Sequence, residues 1–385
     1  KANGEFLFVL GTSLTRLGRG RYTVVMSMDD IPKPTAISLF AGAGGMDLGF
    51  ITEGFDVAWA NDFDPAACET YAKNIGDHIV CGDISDVDLA TIPETDIIFG
   101  GPPCQGFSVA GHMDPHDPRS MLVWEFVRVV HAKNPCAFVM ENVRALGMLK
   151  KWAPLRDALH ETFVRLGYRV AVGVLNAADF GVPQKRERVF FIGTREPHRE
   201  PQMPEPTHID NWLSTRDAIT GLPPAGSPGN DGVAPAEITL ARYPVLRRSP
   251  YAGMLVNGQG RPIDLEVPAP TMHASMGGNK TPIIDLDQLA HPDREPWIVS
   301  YRRGLDKGAG PSASGPPASW RRITVQEAAR IQTFPDDFQF SGKRSPQFRQ
   351  IGNAVPPRLA AAIARAVKPL VMDDIERSLR DKVGY

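Results

Sequence analysis

Residues 35–45 read TAISLFAGAGG, a short apolar run (35–40) that stops at three closely spaced glycines, Gly42, Gly44 and Gly45. A run of that length bounded by glycine reads as a buried strand. The following stretch, MDLGFITEG (46–54), reads as a helix ending at Gly54. Glycines between a strand and a helix let the backbone approach a ligand closely, and the helix start offers free N–H groups to it. The spacing is not the GxGxxG dinucleotide fingerprint. Taken alone it is equally a tight strand-to-helix turn.

Outward from this point the same alternation continues. FDVAWA (55–60) is the next strand, followed by a helix from Pro65 to Asn74, and HIVCGD (78–83) and DIIFGG (96–101) are further strands. Leu122, Phe126, Val129 and Val130 fall at i, i+4, i+7 and i+8 and mark an amphipathic helix begun near Pro118. CAFVMEN (136–142) is a strand, Leu155, Leu159, Phe163 and Leu166 mark a helix, and YRVAVGVLNA (168–177) and RVFFIGT (188–194) close the block. Strands alternating with helices predict an α/β fold, a mostly parallel sheet covered by helices on both faces.

The character changes over 196–319, which carries more than half of the chain's 35 prolines and almost no helical periodicity. It reads as a smaller, irregular, β- and loop-rich domain, with Trp212, Tyr243, Tyr251 and Trp297 as core-forming bulk. From 320 to 385 helices return. Thr324 and Glu327 form a capping box with Ala328 and Ile331 on the buried side and Pro335 as the stop. Leu359, Ile363, Val367 and Leu370 mark a last helix opened by Pro356 and Pro357. This segment is expected to rejoin the α/β domain of 35–195. Residues 1–34 lack periodicity, and Met26 and Met28 lie just before the first strand, so this stretch reads as a non-native or disordered leader outside the fold.

Composition sets the bounds. The 385 residues are 42% hydrophobic and 22% charged, which excludes a disordered chain, a coiled coil and a collagen-like repeat. No run approaches 18 apolar residues, so no membrane span is predicted. A net charge of −2 excludes a uniformly basic nucleic-acid-coating protein but leaves room for a locally basic cleft. Four cysteines without metal spacing fit a reducing, cytoplasmic setting.

Several polar residues stand at predicted strand ends, the rim where open α/β sheets bind ligands. WANDFD (59–64) places Asp62 to bond ribose hydroxyls and Phe63 to stack on a base, and Asp83 ends the next strand. GGPPCQGFS (100–108) holds Cys104 in a proline-framed loop at the same rim. Glu141 directly follows a buried apolar run, where burial raises a carboxyl pKa and suits it to proton transfer. QKRER (184–188) sets Arg186 and Arg188 on one side of an extended segment, able to reach one anionic or carbonyl-bearing ligand.

Six motifs occur in order: Phe40-Gly42-Gly44-Gly45; Pro102-Pro103-Cys104-Gln105; Glu141-Asn142-Val143; Gln184-Lys185-Arg186-Glu187-Arg188; Arg322-Thr324-Glu327-Arg330-Gln332-Phe334-Pro335; and Gly352-Asn353-Ala354-Val355-Pro356. Together, over 35–195 and 320–370, they resemble the DNA (cytosine-5) methyltransferases of bacterial restriction–modification systems. The resemblance implies a class I S-adenosylmethionine-dependent methyltransferase fold, Rossmann-like, with 196–319 as the target-recognition domain. It implies that the Cys104 thiolate attacks C6 of a flipped-out cytosine and makes C5 nucleophilic toward the methyl group of S-adenosylmethionine. Glu141 would contact N3, Arg188 would contact O2, and Arg186 would support the same site or a phosphate. Phe40, Ala41, Gly42, Gly44, Asp62, Phe63, Asp83, Ile84, Pro103, Leu122, Asn353 and Ala354 would surround the cofactor. Gln105, Ser108, Asn142 and Val143 would lie against the DNA, with Asn142 shaping its loop, and the loop from Gly106 to about Arg119 would close over the base.

His112, Asp114, His116 and Asp117 lie in that loop, but this chemistry needs no metal and none is expected. The partners implied are double-stranded DNA and a cognate restriction endonuclease acting separately, with the chain itself a monomer. Arg247, Arg248, Arg261, Lys280, Arg302, Arg303 and Lys307 could supply phosphate or base-edge contacts. An RNA substrate and a catalytically silent DNA-binding scaffold are the alternatives. The long recognition segment weighs against the first, and the presence of Cys104, Glu141 and Arg188 together against the second.

Overall fold

Alternation decides how the strands of the N-terminal half pack. A computed structural model describes residues 15–17, 21–23, 32–103, 122–195 and 199–382. In it a seven-stranded sheet contains β1 (Thr35–Leu39), β2 (Asp56–Asp62), β3 (Ile79–Cys81), β4 (Ile97–Gly100), β5 (Ala137–Val143), β6 (Tyr168–Asn176) and β7 (Glu187–Arg195). Successive side chains point to opposite faces. Ala36, Val57, Ile97, Phe99, Val139, Phe190 and Ile192 enter one core, and Ile37, Leu39, Trp59, Ile98, Phe138, Met140 and Phe191 the other, a register shift between β1 and β2 after Ala36 and Val57 letting Val57 and Trp59 face opposite ways. The first core is closed by α1 (Gly45–Thr52) and by a long C-terminal helix, Pro357–Lys382; the second by α3 (Leu122–Lys133) and α4 (Ala153–Arg165). A helix α2 (Pro65–Asn74) follows β2, with Asp64 capping its first turn.

The strand order is 3-2-1-4-5-7-6 in these labels. Every pairing is parallel except those of β7, which runs antiparallel to both β5 and β6. The connection over 177–186 is too short for a crossover helix, so β7 can only return beside β6 as a hairpin partner. The chain leaves β1 toward β2 on one side and resumes at β4 on the other. This reversal opens a crevice at the carboxyl ends of β1 and β4.

Packing draws a line elsewhere than at residue 320. Ile323, Val325, Ala328, Ile331, Phe348 and Ile351 share a core with Ala218, Ile263, Leu265, Met272 and Ile284 of the irregular region. Only from Val355 onward does the chain join the sheet core. The capping box is present as expected, with Thr324 and Glu327 reciprocally bonded at the start of the helix Val325–Ile331. The irregular region also contains a ten-residue helix, Trp297–Asp306, in which Trp297 stacks on Tyr301 and meets Trp320 edge-on. Tyr243 is no core residue, being 78% exposed, and Trp212 is also exposed. Ahead of the sheet, Thr15–Leu17 and Arg21–Thr23 pair as antiparallel strands.

Asp47 in α1 is fully buried, and its carboxylate accepts a 2.9 Å bond from the Tyr71 hydroxyl, which also meets His78 Nε2 at 2.9 Å. Burial pushes its carboxyl up to about 6. A native pKa above the unfolded one means that the folded state holds the proton more tightly. This stabilising contribution is complete below pH 4 and is lost as pH rises through 6. Asp47→Asn cannot ionise. Between pH 5 and 7.5 it should gain ~1 kcal/mol of stability on the parent chain, measured as diverging urea midpoints. Parallel pH curves would show that Asp47 does not titrate in this way.

Candidate active site

A cavity of about 500 Å³ lies at the β1/β4 crevice. Its floor is the turn after β1. Phe40 there adopts φ 55°, a left-handed conformation costing a bulky residue roughly 1–3 kcal/mol, of the kind that clusters at ligand sites. Gly42 has φ 57°, and nothing lies within 4 Å of where its Cβ would stand. The Asp62 carboxylate at the end of β2 holds this turn by accepting from the Gly42 N–H at 2.8 Å and from the Asp64 N–H at 2.9 Å. Burial raises the Asp62 pKa and these N–H bonds oppose the rise. Each of its oxygens keeps a lone pair for a further donor. Phe63 stands at the mouth with its side chain 65% exposed. No side chain caps the N-terminus of α1.

The far wall carries the acid and the arginines. Glu141, near the end of β5, is buried and pairs with Arg188 Nε at 2.9 Å. Burial pushes its carboxyl above the usual carboxylate range, against the opposing pull of Arg188 and then Arg186. A Cβ at Gly101 would stand 2.9 Å from the Glu141 carboxylate, so a larger residue there would displace that acid. Asn142 is buried, donates to the Pro102 carbonyl at 3.2 Å, and accepts from the Val143 N–H. It thereby ties the loop after β4 to the end of β5. Arg186 is 1% exposed and donates to the carbonyls of Gly352 at 2.9 Å, Asn353 at 3.3 Å and Met272 at 3.4 Å. It joins three segments distant in sequence at the edge of the site.

Comparisons with known proteins bear on this geometry. A family model described as C-5 cytosine-specific DNA methylase matches residues 35–369. The chain belongs to this family. It is 36% identical over 360 residues to the type II methyltransferase M.NgoFVII of Neisseria gonorrhoeae, covering 90% of this chain and 89% of that protein. It is also 36% identical over 355 residues to M1.HphI of Haemophilus parahaemolyticus, covering 86% of each. A prophage-encoded DNA modification methyltransferase from E. coli superposes with a TM-score of 0.62 at 25% identity, covering 88% of this chain and 99% of that one. The chain is thus a DNA cytosine-5 methyltransferase.

Of the residues expected at the methylase's site, Phe40, Ala41, Gly42, Asp62, Phe63, Pro103, Glu141, Asn142, Val143, Arg186, Arg188, Asn353 and Ala354 line this cavity. Gly44, Asp83, Ile84 and Leu122 are not among its described lining residues. Gly44 caps α1 with φ 84°, and a Cβ there would meet Ile75 Cδ1 at 2.1 Å, so close packing explains that glycine. Asp83 is exposed and bonds Ser85, which lowers its pKa, while the Ile84 side chain is buried. Leu122 packs on the second sheet core. Cys104, Gln105, Ser108 and the four acidic and histidine residues of 112–117 lie outside the described residues.

Sequence reasoning missed Ser38, Arg349 and Gln350, which also line the cavity. Arg349 pairs with Asp64 at 2.9 Å, and Gln350 accepts from Thr70 at 2.6 Å. Both sit on the helix Arg344–Asn353, whose sparse apolar residues give little periodic signal. Their place just before the Gly352-Asn353 motif was the available clue. Among the described residues no group of three or more His, Cys, Asp or Glu could hold a metal, and no helix is long and apolar enough to cross a membrane.

Proposed function

We propose that this methylase binds S-adenosylmethionine in the β1/β4 cavity and modifies a cytosine held between Cys104, Glu141 and Arg188. The observation that carries the reading is the convergence of Gly42, Asp62, Phe63, Glu141 and Arg188 on one cavity in a member of this family. The residues fit the cofactor. The volume falls within the ~300–1,000 Å³ of small-molecule sites. Gly42 leaves open space, Asp62 offers acceptors for ribose hydroxyls, and Phe63 exposes an apolar ring for an adenine. Asn353 and Ala354 close the other side. Bound there, S-adenosylmethionine supplies an electrophilic methyl group.

The chain's own residues prepare the base. The target carbon is unreachable in a duplex, so the cytosine is extruded, at a cost of a few kcal/mol of unstacking. The Cys104 thiolate adds to C6, and the electron pair moves toward C5. Glu141, kept protonated more readily by burial, stabilises the proton at N3 that offsets the developing charge. Arg188 holds both the Glu141 carboxylate and O2 of the ring. Arg186 and Asn142 act indirectly, fixing the loops that position these groups. Loss of the C5 proton and the Cys104–C6 bond restores the aromatic ring.

The substrate is a specific sequence in duplex DNA, and the modification protects host DNA from a separately acting restriction endonuclease, as the type II names of its relatives suggest. Bisulfite sequencing of DNA from cells expressing the chain should reveal 5-methylcytosine in one short recurring sequence. Methylation absent from DNA, or spread without sequence preference, would contradict this reading.

A further inference from the structure

The chain is nearly neutral overall, yet from Ile238 to Ile263 it carries Arg242, Arg247, Arg248 and Arg261 and no Asp or Glu. The strands Leu240–Val245 and Met254–Val256 pair antiparallel here, and Arg247 and Arg248 occupy the connection between them. One side of this hairpin is anchored. Leu255 and Val256 are buried in a cluster with Ile298, Tyr301 and Trp320, and Leu240 packs against it. The connection is held as well. Ser249 caps Tyr251, and Arg302 donates to the Arg247 carbonyl at 3.1 Å. The other side is bare, with Tyr243, Val245, Leu246 and Met254 all exposed. Arg247, Arg248 and Arg261 line one open depression, each of them exposed, and none forms an ion pair with a carboxylate among the described residues.

We propose that this hairpin is the arm that grips the DNA backbone, with Arg247, Arg248 and Arg261 each contacting a phosphate beside the target site. The assignment rests on the DNA-methylating reading above. Three guanidiniums without a carboxylate partner, on a held hairpin whose own segment carries no Asp or Glu, suit phosphates, which guanidinium binds through parallel N–H bonds. By contrast Arg216, Arg294 and Arg303 in the same region are committed to Glu266, Asp287 and Glu295. The arm also joins the field of the active site. His273 has its pKa lowered by burial and then by Arg186, Arg188, Lys280 and Arg261, so positive charge extends from the catalytic pocket to the depression.

Phosphate contacts are independent of sequence, so the test does not require the target to be known. Binding to a mixed-sequence duplex is measured against salt concentration. Each lost contact should reduce the slope of log K against log salt by ~0.9. Arg247→Gln with Arg248→Gln should lower the slope by ~2, and adding Arg261→Gln by ~3, while S-adenosylmethionine binding and melting temperature stay at parental values. Arg294→Gln, an already paired arginine, should leave the slope unchanged. A triple variant with the parental slope, or an Arg294→Gln slope that falls equally, overturns the arm while leaving the methylating reading intact. A parent chain that binds duplex without salt dependence and leaves no methyl groups on DNA overturns both.

Discussion

DNA carrying 5-fluorocytosine at the methylated position is expected to leave the chain covalently attached through Cys104. Fluorine stands where the departing proton should be, so elimination stalls after methyl transfer and the thioether between Cys104 and C6 persists. The adduct should survive denaturing electrophoresis, depend on S-adenosylmethionine, and map to the peptide containing Cys104. Cys104→Ser should abolish both adduct and methylation, because a serine hydroxyl is a far weaker nucleophile at neutral pH than a thiol already a few per cent ionised. The other cysteines provide internal controls. Cys68 and Cys136 are buried, their thiols bonded to the carbonyls of Asp62 and Asp96, and burial pushes both thiols well above the usual range. A thiol held protonated is a poor nucleophile. Cys81 is exposed at the end of β3 and is absent from the described lining of the cavity. Serine at any of these three positions should leave trapping intact. An adduct that survives Cys104→Ser would assign the nucleophile elsewhere.

Glu141→Gln should lower turnover by ~10²–10⁴-fold, the usual range for a general acid–base contribution, with S-adenosylmethionine affinity little changed. The amide keeps an oxygen for Arg188 Nε, so the 2.9 Å contact at the cavity wall can survive. What it loses is the ability to gain and release a proton. Burial raises the Glu141 pKa even though Arg188 and Arg186 pull it down. The protonated form is therefore more available at neutral pH than for an exposed glutamate. Single-turnover methylation, with DNA binding measured in parallel, separates the two roles. A rate within a few-fold of the parent's would remove Glu141 from the proton chemistry. Equal losses in DNA affinity and rate would make it a binding residue only.

Much of this protein was legible before any coordinates. The β1 turn, the acid ending β2, Glu141 ending β5 and the Thr324–Glu327 capping box are local features. Each depends on residues close in sequence, and the continuous apolar runs of the strands and the apolar spacing of the long helices report the sheet and its cover directly. The antiparallel return of β7 was implicit too, in a connection too short to cross over.

Other features were decided only by tertiary packing. Arg186 and Arg188 are equivalent in sequence, two arginines spaced by one residue. Yet Arg186 is spent on the carbonyls of Met272, Gly352 and Asn353, while Arg188 meets Glu141. Asn142 lies beside Glu141 but reaches back to Pro102. The helix Arg344–Asn353 has few apolar residues and a weak amphipathic signal, and a hydrogen bond from Thr70 to Gln350 helps hold it, whereas Trp297–Asp306 has a clear apolar face that only its packing on Trp320 placed within the proline-rich region. Tyr243 looked like core and lies exposed, because a strand exposes one face wherever no second layer covers it. The sequence by itself determined the elements and the chemical groups at their ends. Which of those groups face the ligand, and which are used to hold others in place, depended on contacts between residues as much as 285 positions apart, whose pairing no local pattern encodes.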